Sequence, residues 1–252
     1  MRWSDWRRHF EMNRRRPMPE GLERAEEVPE AWRSALVASL ATFQLGESGE
    51  GRIAHEIDRA QLPGIDGDYR AALKLFVAEE GRHARILGLM VRGLGGKLLG
   101  RNWTERLFVF GRRLLGLRLK LVVLLVAEVI GGAFYGLLAS RLPDGGLRRA
   151  LEQICEDEQH HLDFHGEFFA RQGWGVLMRA AWQAAWWSLA LAAMGVVLVD
   201  HRRTLRTLGI PFTEAARAFV GLVREAASHL PVFPERGSRS NPLEPEVRLE
   251  KP

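Results

Sequence analysis

The sequence has one cysteine, Cys155, in 252 residues. A single thiol excludes a disulfide framework, a cysteine-ligated zinc module and an iron–sulfur cluster held by four thiolates. Alternation of β-branched and polar residues is nearly absent, which argues against a sheet protein. Long alanine- and leucine-rich runs take its place and predict an all-α chain. The first segment, Met1 to Arg16, is polar and arginine-rich with no apolar stretch, so it does not read as a secretory signal. No glycine-rich dinucleotide fingerprint follows a strand. Lysine is scarce: 32 of the 36 basic residues are arginine, which reads as compositional bias more than as a binding site. Hydrophobic residues at 46% and charged residues at 27% exclude wholesale disorder.

Four segments follow from composition. Residues 1–27 form a basic N-terminal arm, 28–172 a helical bundle, 173–230 additional helices and 231–252 a disordered tail. The tail holds five of the eleven prolines and cannot bury a face. Helices are predicted from about Glu30 to Ala60, from Asp66-Gly67-Asp68 to about Arg92, from Thr104 to about Leu142, from Leu147 to about Arg171, and from Gly175 to about Leu205. A short sixth helix opens at Pro211 to Thr213 and ends near His229.

Two helices carry the sequence Glu-x-x-His: Glu80 to His83 and Glu158 to His161. Composition alone gives roughly 0.7 such pairs by chance, so one means little and two mean more. Residues at i and i+3 share a helix face, so each pair can grip a metal ion with an oxygen and a nitrogen. Apolar neighbours, Leu87 and Leu162, turn these faces inward, and a buried unpaired carboxylate costs several kcal/mol, so something must neutralise it. Two more acids fit that need. Glu128 is the only charge between Lys120 and Arg141, and Glu47 and Glu50 share a face of the first helix. Glu47 is the preferred ligand of that pair, with Glu50 able to bridge or swing in. The ligand set is therefore Glu47, Glu80, His83, Glu128, Glu158 and His161. Four carboxylates balance two divalent ions, and oxygen-rich sites with two imidazoles suit iron or manganese, singly or mixed. Tyr135 and His165 fall near the same face, whereas His55 and His160 are expected at the surface.

This pattern resembles the ferritin-like di-iron carboxylate superfamily over about Ala31 to Arg171. Gly46-Glu47-Ser48 is similar to the first-helix ligand segment of rubrerythrins. Asp157-Glu158-x-x-His161 is similar to the motif of multicomponent monooxygenases and ribonucleotide reductase small subunits. The resemblance implies a ferritin-like four-helix bundle with extra C-terminal helices. It also implies a pair of metal ions, and Asp157 and Glu79 holding the far nitrogens of His83 and His161. Two departures matter. No Cys-x-x-Cys rubredoxin segment is present, so electrons must come from an external donor. The radical tyrosine of the reductase would fall on Leu87, which excludes it there.

The functional expectation is a di-iron oxidoreductase activating O2 or peroxide, with an apolar small molecule as substrate; the aliphatic lining is expected near Leu87, Leu124 and Leu162. The alternative is a non-catalytic or iron-handling ferritin-like protein. Ala180 to Val199 contains no charge and only Gln183 and Ser188 as polar groups. That length meets the transmembrane threshold, and tryptophans and arginines flank it. A membrane contact, a homodimer face and packing on the bundle all fit this run. The expected location is cytoplasmic, with membrane association left open, and no nucleic-acid partner is indicated.

Overall fold

A computed structural model describes residues 1–48, 51–100, 116–173 and 175–229. Among them every regular element is helical and no strand occurs. The helices are α1 (Trp3–Asn13), α2 (Glu30–Glu47), α3 (Gly51–Arg59), α4 (Gly67–Gly93), α5 (Leu117–Ala139), α6 (Gly146–Ala170), α7 (Val176–Asp200), α8 (Arg202–Thr207) and α9 (Phe212–His229). The predicted first helix is thus divided between α2 and α3. The predicted fifth is divided at His201 between α7 and α8. The predicted start of the third helix, Thr104, and the proline-rich tail lie outside the described residues.

Local chemistry explains several boundaries. Asp66 caps α4, accepting the Tyr69 N–H at 2.8 Å, which satisfies one of the donors left open at a helix start. Gly95, at φ +78°, turns the chain out of α4 in a conformation that favours glycine. Gly146 opens α6 where the backbone of Gly21 passes so close that an added Cβ would lie 2.5 Å from the carbonyl oxygen of Gly21. The same N-terminal stretch presses on the end of α4, where a Cβ at Gly93 would meet Leu22 O at 2.5 Å. Both close approaches exclude a side chain.

Packing builds two helix pairs. α2 lies on α4, α5 lies on α6, and α4 faces α6 across the centre. α9 and α7 both lean on α5, and α8 leans on α2. The arginine-rich start of the chain holds a finding the composition hides. α1 buries Trp3, Trp6 and Phe10 against α4 and the aromatic cluster of Tyr69, Phe76 and Phe164. Its arginines occupy the other face, so the segment is amphipathic rather than merely basic.

Two helices are long and apolar enough to cross a membrane, α5 and α7. In the most apolar window of α5, 89% of residues are buried in the fold, and in that of α7 only 28%.

Candidate metal centre

The centre is assembled from the middles of α4, α5 and α6 and the end of α2. On α4, Phe76, Glu80, His83 and Leu87 recur at helical spacing, and all four are buried. On α6, Glu158, His161, Leu162 and His165 are buried likewise. Glu128 projects from the apolar wall of α5 and is buried too. Glu47 is half-buried as a residue, yet its carboxylate reaches inward. There Tyr135 Oη donates to Glu47 Oε1 at 2.5 Å.

The ligand atoms fall into two overlapping groups. Glu47, Glu80, His83 and Glu158 make one; Glu80, Glu128, Glu158 and His161 make the other. Within each group all four atoms lie within 4.8 Å of one another. Glu80 and Glu158 belong to both. His83 Nδ1 lies 3.6 Å from Glu80 Oε1 and 3.4 Å from Glu158 Oε1. His161 Nδ1 lies 3.0 Å from Glu80 Oε1, 3.3 Å from Glu158 Oε2 and 3.5 Å from Glu128 Oε2. Glu80 Oε1 and His83 Nδ1 are buried without a hydrogen bond despite these approaches. Converging, misaligned donors and acceptors leave room for a cation between them. A set of carboxylates and imidazoles is what a metal such as iron, manganese or zinc accepts. The cluster can therefore hold metal.

The far side of each imidazole is also held. His83 Nε2 lies 3.2 Å from Asp157 Oδ2, and His161 Nε2 lies 3.1 Å from Glu79 Oε2. With Nε2 engaged outward, each Nδ1 faces the cluster, which is how a protein fixes the orientation of a metal-binding histidine. His165 is fully buried, neither ring nitrogen has a hydrogen-bond partner, and its ring packs on Phe76 and Phe164. It belongs to neither ligand group. His55 is exposed, whereas His160 is half-buried and pairs its ring with His9 at 4.4 Å between centroids. Glu50 lies outside the described residues.

Burial sets the electrostatics. It pushes Glu80 and Glu128 well above the ordinary carboxylate range, reinforced by the neighbouring carboxylates. Glu47 moves up for the same reason. Glu158 moves the other way: burial opposes its charge, but Glu128, the His161 hydrogen bond and the close His83 imidazole outweigh it. Burial alone would lower the histidines. Asp157 and Glu158 overcome it at His83, which is raised to about 9, and Glu80, Glu128, Glu158 and Glu79 raise His161 well above its usual value. Such an array binds protons tightly, and a metal ion entering it displaces them.

Several contributors escape a sequence reading. Arg16 Nη2 lies 2.8 Å from Asp157 Oδ1, and Arg82 Nη1 lies 3.8 Å from Asp157 Oδ2. Nothing in local spacing links Arg16 to α6. Phe76 packs its edge on His161 at 4.7 Å between centroids. Its position four residues before Glu80 is the signal that would have found it. Leu87 and Leu124 pack as closed core, and the open space beside the centre lies elsewhere. It is a cavity of about 550 Å3 between α5, α6 and α9 that reaches Glu128, Glu158 and Leu162. Comparison with protein-family models, with curated proteins and with solved structures gives no match for this chain. Among the described residues the fold is all-helical around a buried carboxylate–imidazole cluster that could bind metal.

Proposed function

We propose that the chain is a ferritin-like dimetal oxidoreductase, with α2, α4, α5 and α6 as its four-helix bundle. The observation that carries this reading is the sharing of Glu80 and Glu158 by two four-residue ligand groups. One shared carboxylate on each of two helices is what a pair of adjacent ions requires. Two divalent ions also balance the four carboxylates, while a single ion would leave a buried negative excess. A pair of iron ions, or manganese in one or both positions, would supply the electrons that reduce O2 or peroxide.

The chain's own residues do the rest. Glu47 and His83 would help hold one ion, Glu128 and His161 the other. Asp157 and Glu79 hold the imidazoles outward-protonated and inward-facing. Tyr135 fixes the Glu47 carboxylate by donating its Oη–H, and burial with that carboxylate keeps the phenol protonated. The phenylalanines around His161 keep water from its face. Cys155 is the one thiol in the sequence, and a rubredoxin-type centre needs four; burial and the nearby carboxylates push it up to about 12. An external donor must supply electrons, from the cytoplasm or from a membrane surface met by α7, where a second copy of the chain is the competing contact.

The test is a single-turnover experiment. The protein is loaded with iron, reduced without air, freed of reductant and exposed to oxygen with candidate apolar substrates. At most one product equivalent per pair of ions is expected. Ions left unoxidised by oxygen or peroxide, with no product formed, would contradict the reading, and sustained turnover with NADH and no second protein would contradict the need for an external donor.

A further inference from the structure

We infer that the cavity between α5, α6 and α9 is the substrate site of this centre, and that its ligand is an apolar chain with a neutral or cationic end. This assignment rests on the oxidoreductase reading, because it gives that site a substrate class.

Depth and lining set the class. The volume, about 550 Å3, is in the range of small-molecule sites. Gly136, Ser140, Gly221 and Glu225 are exposed at the mouth. Glu128, Glu158 and Leu162 are buried at the floor. The space therefore runs from solvent to two of the proposed ligand carboxylates. Its lining is mostly apolar, and Gly132, Gly136 and Gly221 keep it wide. An extended hydrocarbon segment fits such a passage, since every methylene buried there leaves water favourably.

Charge sets the end group. Among the described residues lining the cavity, no lysine, arginine or histidine occurs. The acids are Glu128, Glu158 and, at the mouth, Glu225. An anionic head would lie beside the Glu225 carboxylate with no cation to answer it, whereas an amine or hydroxyl would not. The chain as a whole carries a formal charge of +5, which favours anions at long range. A local preference against them is therefore a signature of this cavity and not of the protein's net charge.

The glycines allow a clean obstruction. A Cβ at Gly221 meets nothing within 4 Å, and one at Gly136 meets only Cys155 Sγ at 4.0 Å. Both sit inside helices without positive φ, so leucine there fills the passage without straining the backbone and raises helix propensity. The experiment titrates the metal-loaded full chain, at physiological salt, with decylamine, decanol and decyl sulfate, and follows binding heat and metal content. The amine and the alcohol are expected to bind about tenfold or more tightly than the sulfate. Gly221→Leu and Gly136→Leu should each weaken both ligands by at least about tenfold while keeping the metal content. Glu225→Gln, on the exposed face of α9, should narrow the gap to the sulfate. Unchanged binding in both leucine variants, or a native preference for the sulfate, overturns the assignment. If the native chain takes up no metal yet keeps these preferences without it, the oxidoreductase reading fails, and with it the substrate role of the cavity, which is left as a binding site for such amphiphiles.

Discussion

α5 and α7 are alike in length and apolar character and opposites in the fold. One has 23 residues and the other 25, and both are apolar enough to span a bilayer. α5 is buried over most of its length, among α6, α7 and α9. α7 buries one narrow face, Trp186, Ala190, Ala193 and Val197, at helical spacing. It leaves Val176, Leu177, Leu191 and Val199 exposed. The difference lies in one residue type. α5 carries Glu128 at its centre, an acid that neither lipid nor a dry core accepts without partners. The His161 and Glu158 side chains supply them. α7 carries no charge across Ala180–Val199, so nothing obliges it to turn inward. A buried acid in an apolar run thus marks the helix that belongs to a site. Hydrophobicity alone does not separate core from surface.

The largest expected effect removes that acid. Glu128→Ala should cost more metal affinity than the about 10- to 100-fold typical of losing a partner that merely orients a ligand. Its mirror, Leu191→Glu on α7, should create no metal affinity. Metal titration followed by elemental analysis checks both, and equal loading of native and Glu128→Ala protein would erase the contrast. Next comes packing. Leu125→Ala in α5 should destabilise by about 2–5 kcal/mol, and Leu191→Ala in α7 by no more than about 0.5 kcal/mol, measured by denaturant unfolding.

A third expectation concerns the junction of α7 with α8. His201 Nδ1 lies 2.8 Å from Ser39 Oγ, which in turn lies 2.6 Å from Thr204 Oγ1. Burial lowers His201 to about 4. The unfolded chain therefore takes up the proton first as pH falls. The stabilisation is complete above about pH 6.5 and is lost progressively towards about pH 4, amounting to up to about 3 kcal/mol. His201→Gln should flatten the stability profile across that window relative to the native chain. An identical profile in both would place the histidine's proton affinity back at its usual value.

The smallest effect belongs to a residue that touches no ion. Asp157 points away from the ligand cluster and towards His83 Nε2. Asp157→Asn should retain the fold and lower metal affinity by about 10- to 100-fold. An unchanged affinity would reduce Asp157 to an ion-pair partner of Arg16.

The helical class and the convergence of Glu80, His83, Glu158 and His161 were legible because a period of 3.6 and an i, i+3 spacing are local properties. Glu128 stood out for the same reason, as one charge in an apolar run. What escaped depended on distant chain. Trp3, Trp6 and Phe10 are spaced for one helix face, but the arginines between them mask the signal. Arg16 meets Asp157 only after α1 has packed on α4. The break at His201 coincides with its hydrogen bond to Ser39 on α2, which no window around residue 201 contains. The cavity needs α9 laid against α5 and α6, so its lining could not be placed on any one helix beforehand.

The central claim is that four carboxylates on four helices hold a pair of ions. Metal titration of the native chain beside a variant with Glu47, Glu80, Glu128 and Glu158 all replaced by glutamine tests it most directly. The account predicts about two ions per native chain and essentially none in the variant. Full loading of the variant, or a native ratio that saturates near one, would contradict it.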